Sequence, residues 1–173
     1  MLKTVRITIL LFILFMVAMG TWLTQLRSTD WNNSLWVKVY PINGDGSAQA
    51  TRYIETLALT DFDGIETFLG QEIGKYNSDI SRPVRVELGE AINAQPPALA
   101  TEPNVFDIML WSLKMRWWAG NVTDEQDEIE PDVRMFIRYH APDSSISLDN
   151  SVGLRKGMVG VVNGYASRRY RGT

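Results

Sequence analysis

The chain has 173 residues, 45% of them apolar and 21% charged, with a formal net charge of −3 and no cysteine. Apolar content at that level with scattered charge excludes a disordered chain, and the missing thiols exclude disulfides, thiolate catalysis and cysteine-ligated zinc. All 20 acidic residues lie beyond Ser28 against 14 basic ones (17 less Lys3, Arg6 and Arg27), so that part carries −6, which argues against a nucleic-acid binder.

Lys3 and Arg6 precede an apolar run from Ile7 to Leu23, interrupted only by Thr8, Gly20 and Thr21. As a helix this run reaches roughly 26 Å, slightly short of the ~30 Å hydrocarbon core. Local thinning or flanking side chains cover that shortfall, and Trp22 and Trp31 lie near the far boundary, where amphipathic rings collect. The competing reading is a secretory signal with its apolar core at Ile7 to Val17 and a small-x-small cleavage pattern at Ala18-Met19-Gly20. The apolar run continues past Gly20, which favours an uncleaved anchor over residues 1–28. Both readings export the rest, residues 29–173. With Lys3 and Arg6 on one side and Arg27 alone on the other, the positive-inside rule leaves the short N-terminus in the cytoplasm.

Leu35 to Tyr40 alternates, with Leu35, Val37 and Val39 on one face and Trp36, Lys38 and Tyr40 on the other; this predicts a strand that Pro41 stops. Asn43-Gly44-Asp45-Gly46 predicts a turn in which both glycines permit positive φ. It does not read as a calcium loop, since the further alternating carboxylates and the closing bidentate glutamate are missing. One helix is expected from near Ser47 over Tyr53, Ile54 and Leu57. A second, capped by Thr60 or Asp61, follows from Phe62, Ile65, Phe68, Leu69, Ile73 and Tyr76 at helical spacing. Val84, Val86 and Leu88 alternate inward as a second strand.

A proline-rich loop covers residues 93–103, with Pro96, Pro97 and Pro103 preventing continuous helix. Val105 to Ala119 then reads as a helix capped by Asn104, with Val105, Ile108, Met109, Leu113 and Trp117 along one side. With Asp107, Lys114 and Arg116 it is too short and too charged to span a bilayer. A core helix is the first reading; a helix lying at the membrane interface is the alternative, favoured by Trp111, Trp117 and Trp118 beside Lys114 and Arg116.

An acidic loop follows at 124–132, with six acidic residues in nine positions. Val133 to His140 alternates as a third strand, with Val133, Met135, Ile137 and Tyr139 facing one way and Arg134, Phe136, Arg138 and His140 the other. Asp143 to Ser151 reads as a polar loop, and Val159 to Asn163 as a short buried strand edged by glycines. The stretch from Val152 to Thr173 holds five basic residues (Arg155, Lys156, Arg168, Arg169, Arg171) and no acidic one. Both charge runs read as solvated segments; a basic arm on anionic headgroups is the alternative for the second. The order of elements predicts an α+β fold: one mixed-sheet domain with two to three helices after the N-terminal helix.

The search for chemistry yields no complete active site and no metal-ligand set. His140 is the only histidine, at a strand end beside Pro142, where a structural role is the default, and there is no H-E-x-x-H. A Ser-His-Asp arrangement lacks the G-x-S-x-G elbow, and neither a P-loop nor a G-x-G-x-x-G occurs. The acid pairs Asp61 with Asp63 and Glu128 with Glu130 read as solvated cap or loop residues.

LWVKVYPINGDGS (Leu35 to Ser47) and VGLRKGMVGVVNGYASRRYRGT (Val152 to Thr173), together with LWSLKMRWWA (Leu110 to Ala119) and MFIRYH (Met135 to His140), resemble a family of bacterial membrane-anchored, zinc-metallopeptidase-like (zincin-like) proteins. The resemblance covers almost the whole chain after the anchor. It implies an incomplete zincin-like fold in the inner membrane, single-pass, with the C-terminal domain periplasmic. In that family the run matching Val152 to Thr173 leads into a helix bearing H-E-x-x-H, whose histidines hold zinc and whose glutamate activates water. The sequence stops before that helix, so no zinc ligand or catalytic glutamate falls on a residue of this chain, and zinc is implied only if such a segment follows. The ending fits a truncated or frameshifted reading frame. Two functions follow as expectations: the non-catalytic N-terminal part of a zincin-like hydrolase, inactive by itself, or a complete envelope protein that binds a partner or the membrane surface. The bilayer is the one partner implied, through the N-terminal helix; a protein partner is not identified.

Overall fold

A computed structural model describes residues 2–29, 34–76, 82–100, 102–123, 130–142, 148–154 and 158–167. Trp31, most of the acidic run (124–129), the loop at 143–147 and the basic residues Arg155, Lys156, Arg168, Arg169 and Arg171 lie outside the described residues. The chain forms two compact units, Met1–Asn33 and Ser34–Thr173.

The first unit is one helix, α1 (Leu2–Thr29). Its apolar window runs Lys3–Trp22, 20 residues with none buried, long and apolar enough to cross a membrane. At about 1.5 Å per residue it reaches roughly 30 Å, the thickness of the hydrocarbon core, so the helical turn before Ile7 makes good the expected shortfall. Two threonines inside the window satisfy their own hydroxyls: Thr8 donates to the Thr4 carbonyl at 3.0 Å and Thr21 to the Val17 carbonyl at 2.8 Å. That local bonding lets a polar side chain sit in an apolar stretch at small cost.

The second unit is an α+β domain around a five-stranded mixed sheet. Its elements are β1 (Leu35–Asn43), α2 (Ala48–Glu55), a 3-10 turn (Leu59–Phe62), α3 (Asp63–Gly74), β2 (Val84–Leu88), α4 (Val105–Thr123), β3 (Val133–His140), β4 (Val152–Leu154) and β5 (Val159–Tyr165). The strand order is β2-β1-β3-β5-β4. The first four strands are parallel and β4 runs antiparallel to β5 at the edge.

Alternation along the strands sends apolar side chains to both faces. Val37, Val39, Val84 and Val86 meet Phe62 and Leu69 on one face. Tyr40, Ile42, Phe136, Val159 and Val161 meet Trp111, Met115 and Ala119 of α4 on the other. Beside the first of these clusters, Ala50, Tyr53 and Ile54 of α2 cover Tyr139 and Ala166. Helices therefore shield both faces, as a largely parallel sheet requires. Tyr40, Ile42 and Phe136 have no exposed surface, and the Tyr40 and Phe136 rings stack with centroids 5.3 Å apart.

Three elements differ from the sequence expectation. Pro41 does not stop β1. Leu35, Val39 and Pro41 bond toward the β2 side, and β2 ends at Leu88, opposite Val39. The N–H that Pro41 lacks thus faces a place where no strand continues, and its carbonyl still accepts from Ile92 at 2.9 Å. The three-residue β4 was not expected, being too short for alternation to show. In α4 the side carrying Val105, Ile108, Met109, Leu113 and Trp117 is exposed, and Trp111, Met115, Ala119 and Thr123 face the core.

The outer edge of β2 is covered from α3. Glu66 accepts from the Val86 N–H, which points away from β1, at 2.7 Å, and pairs with Arg82 at 2.6 Å. These bonds, the Val86 N–H foremost, hold the Glu66 carboxyl below its ordinary range against the opposing effect of burial. One outward N–H of the strand edge is thereby satisfied by a side chain.

Candidate functional site at the carboxyl ends of β1 and β3

In sheets of parallel strands, ligands favour the carboxyl ends, where loops from neighbouring strands converge. Here that edge gathers the turn from Asn43 to Ser47, the end of β3 at Tyr139 to Ala141 and the end of β5 at Ala166. The strands are laced together there. Gly44 N–H donates to the Tyr139 carbonyl at 2.8 Å and Ala166 N–H to the His140 carbonyl at 2.7 Å.

The turn is stitched by its own side chains. Asn43 Oδ1 accepts from Gly46 N–H at 2.7 Å, while its Nδ2 donates to the Ser47 carbonyl and to Thr51 Oγ1. Asp45 accepts from Ser47 N–H at 2.9 Å and, across the sheet, from Ala141 N–H at 2.6 Å. Ser47 caps α2 by accepting from Ala50 N–H at 3.1 Å. Burial is the largest single influence on Asp45 and opposes its charge. The Ala141 and Ser47 bonds and the nearby His140 outweigh it, so its carboxyl is held below the ordinary value.

The two glycines do different work. Gly46 takes φ +71°, the left-handed conformation expected of a turn glycine. Gly44 does not have positive φ among the described residues; it makes room. A Cβ there would stand 2.4 Å from His140 Nε2 and 2.6 Å from Cε1, so the imidazole lies directly against the glycine. His140 Nε2 is buried without a hydrogen-bond partner.

This arrangement assembles no catalytic relay. Ser47 Oγ is committed to its cap, both Asp45 oxygens take backbone N–H groups, and Nε2 faces a glycine. Among the described residues no group of three or more histidines, aspartates or glutamates converges to hold a metal ion. His140 and Asp45 by themselves are too few ligands to hold zinc. Of the acid pairs, Asp61 accepts from Ala58 N–H at 3.0 Å and closes the 3-10 turn, Glu130 pairs with Arg134 at 3.2 Å, and Glu128 lies outside the described residues.

Two polar features escaped the sequence. Gln95 Nε2 donates to the Asn43 carbonyl at 2.6 Å, tying the proline-rich loop to this edge. On the α4 face, Lys38 is buried 4.0 Å from Glu87 and 5.8 Å from the Tyr40 ring centroid, while Trp36 Nε1 donates to Glu87 at 3.0 Å. Strand alternation placed Lys38 and Tyr40 together; the Glu87 partner came from a strand whose register the sequence does not state. Lys3, Arg6, Ile7 and Leu23 all lie in α1, the two basic residues at the start of the apolar window and Leu23 just past its end. No family model matches the chain, and no match to it was found among curated proteins or solved structures.

Proposed function

We propose that this is a single-pass protein of the bacterial inner membrane, anchored by α1, whose α+β domain is held on the periplasmic side as the non-catalytic N-terminal part of a zincin-like hydrolase. The anchor reading is carried by one observation: a 20-residue apolar window with none of its surface buried, opened by Lys3 and Arg6. The hydrolase reading is supported by where the resembling stretches fall. They form β1 with the turn after it, α4, most of β3, and β4 with β5, so the likeness covers one contiguous part of the core rather than scattered loops. In this reading the domain supplies the sheet, and the zinc ligands belong to a helix after β5.

Each half has its own test. Alkaline phosphatase fused after Ala166 is active only outside the cytoplasm; an inactive fusion at normal abundance overturns the placement. Coding DNA read past the Thr173 codon in three frames should hold H-E-x-x-H within about 30 codons. Its absence removes the hydrolase reading and leaves the anchored domain standing.

A further inference from the structure

Helix α4 is apolar on two opposite sides. Its inner side, Trp111, Met115, Ala119 and Thr123, recurs every four residues against the sheet. On the outer side Phe106 is 68% exposed, Met109 57%, Leu113 56% and Trp117 72%. At about 100° per residue these four and Leu110 fall within an arc of roughly 100° centred opposite Met115. A contiguous apolar stripe of this kind marks a contact surface, unlike single exposed apolar residues.

We infer that this outer stripe lies on the lipid bilayer, at the boundary between headgroups and acyl chains. The inference rests on α1 being a membrane anchor. Only residues 30–34 separate the end of α1 from β1, and five residues extend to no more than about 18 Å. A surface on so short a tether meets the bilayer at high effective concentration, so a modest intrinsic affinity suffices.

The charges on α4 fit the same partner. Lys114 lies exposed just beyond one margin of the stripe, where its stem can run along apolar surface and its head reach phosphates; Arg116 lies just beyond the other, half-buried, with its guanidinium donating to the Ser112 carbonyl at 3.2 Å. The one acidic residue of α4 is already used: Asp107 accepts from Asn104 N–H at 3.1 Å while Asn104 accepts from Asp107 N–H at 3.0 Å, a reciprocal cap at the first turn. A second copy facing this stripe would set Lys114 and Arg116 against their own counterparts, with no free carboxylate on α4 to answer them. Trp117, the most exposed of the three tryptophans of α4, suits the headgroup level.

The cysteine-free chain makes the test direct, because one introduced cysteine carries one nitroxide label. The full chain is reconstituted into phosphatidylcholine vesicles containing a minority of phosphatidylglycerol. Accessibility to oxygen, which partitions into lipid, is compared with that to a water-soluble nickel chelate. Three labels are read: Phe12→Cys in α1, Leu113→Cys in the stripe, and Gln71→Cys on the exposed side of α3. Phe12 and Leu113 should both give an oxygen-to-nickel ratio severalfold above that at Gln71. Met109→Cys, one turn away, should repeat the Leu113 result. Phe12 in lipid with Leu113 and Met109 in water overturns the inference while leaving the anchor intact. Phe12 in water overturns the anchor reading itself. Labels at Leu113 shielded from both reagents and coupled to another nitroxide assign the stripe to a second copy, and likewise overturn the inference.

Discussion

Gly44 and His140 compete for one volume, and the glycine yields it. In Gly44→Ala the new methyl carbon has to displace an imidazole whose Nε2 would be 2.4 Å away, at an edge pinned by the Gly44 to Tyr139 and Asp45 to Ala141 bonds. We expect a loss of about 1–3 kcal/mol, the usual cost of overpacking, in chemical unfolding of the full chain in detergent. The double variant with His140→Ala should recover most of it, because the three atoms nearest the new carbon all belong to the ring. Asp45 adds a pH dependence. Its folded carboxyl is depressed, so its contribution is complete above the unfolded value of about 4 and is lost as pH falls through the folded value. Wild type should exceed Asp45→Asn in stability at pH 7, and the gap should close as the medium is acidified below pH ~4. The turn itself was legible, since Asn, Gly, Asp and Gly in succession leave few alternatives. The reason for Gly44 was not. Positive φ is a local property that sequence announces, whereas room for a side chain from a distant strand appears only once β1 and β3 are in register.

At the scale of elements, alternation was a reliable guide wherever a strand has two distinct neighbours. Val37 and Val39 against Tyr40 on β1, and Met135 against Phe136 on β3, went to the faces the pattern gave them. Helix α4 shows the limit of that logic. Its sequence is apolar on two opposite sides, so helical spacing supports more than one inner face, and the sheet selects the side that brings Met115 and Ala119 against Phe136 and Val161. Two methionines on this helix turn the choice into a measurement. Met115 is 1% exposed, and Met115→Ala should cost about 2–5 kcal/mol, the range for removing a fully buried large side chain. Met109, 57% exposed on the outer side, should tolerate the same change within about 0.5 kcal/mol in detergent. Equal losses would mean that α4 is rotated about its axis from the orientation described. Pro41 teaches the same lesson from the other direction. A proline ends a strand only when a neighbour needs its N–H, and that need depends on where β2 stops, which no local pattern in β1 encodes.

At the scale of the whole molecule, the proposed anchor raises two separable points, whether α1 is retained and which way it would cross. An anchor that is retained gives a membrane-extracted protein of the full 19.6 kDa, whereas cleavage after Gly20 yields a shorter chain beginning at Thr21. Orientation has a narrower physical basis than span. Lys3 and Arg6, with the terminal amine of Met1, weigh against Arg27 on the other side. If those two side chains set the topology, Lys3→Ser with Arg6→Ser leaves only the terminal amine against Arg27 and removes the bias. Phosphatase activity of the Ala166 fusion should then fall severalfold at unchanged abundance, and adding Arg27→Ser should restore part of it by removing the opposing charge. A triple variant no more active than the double would show that flanking charge is not what decides. The remaining candidate would then be the domain itself: a folded α+β unit that resists translocation would hold the chain in the cytoplasm whatever its first turn carries.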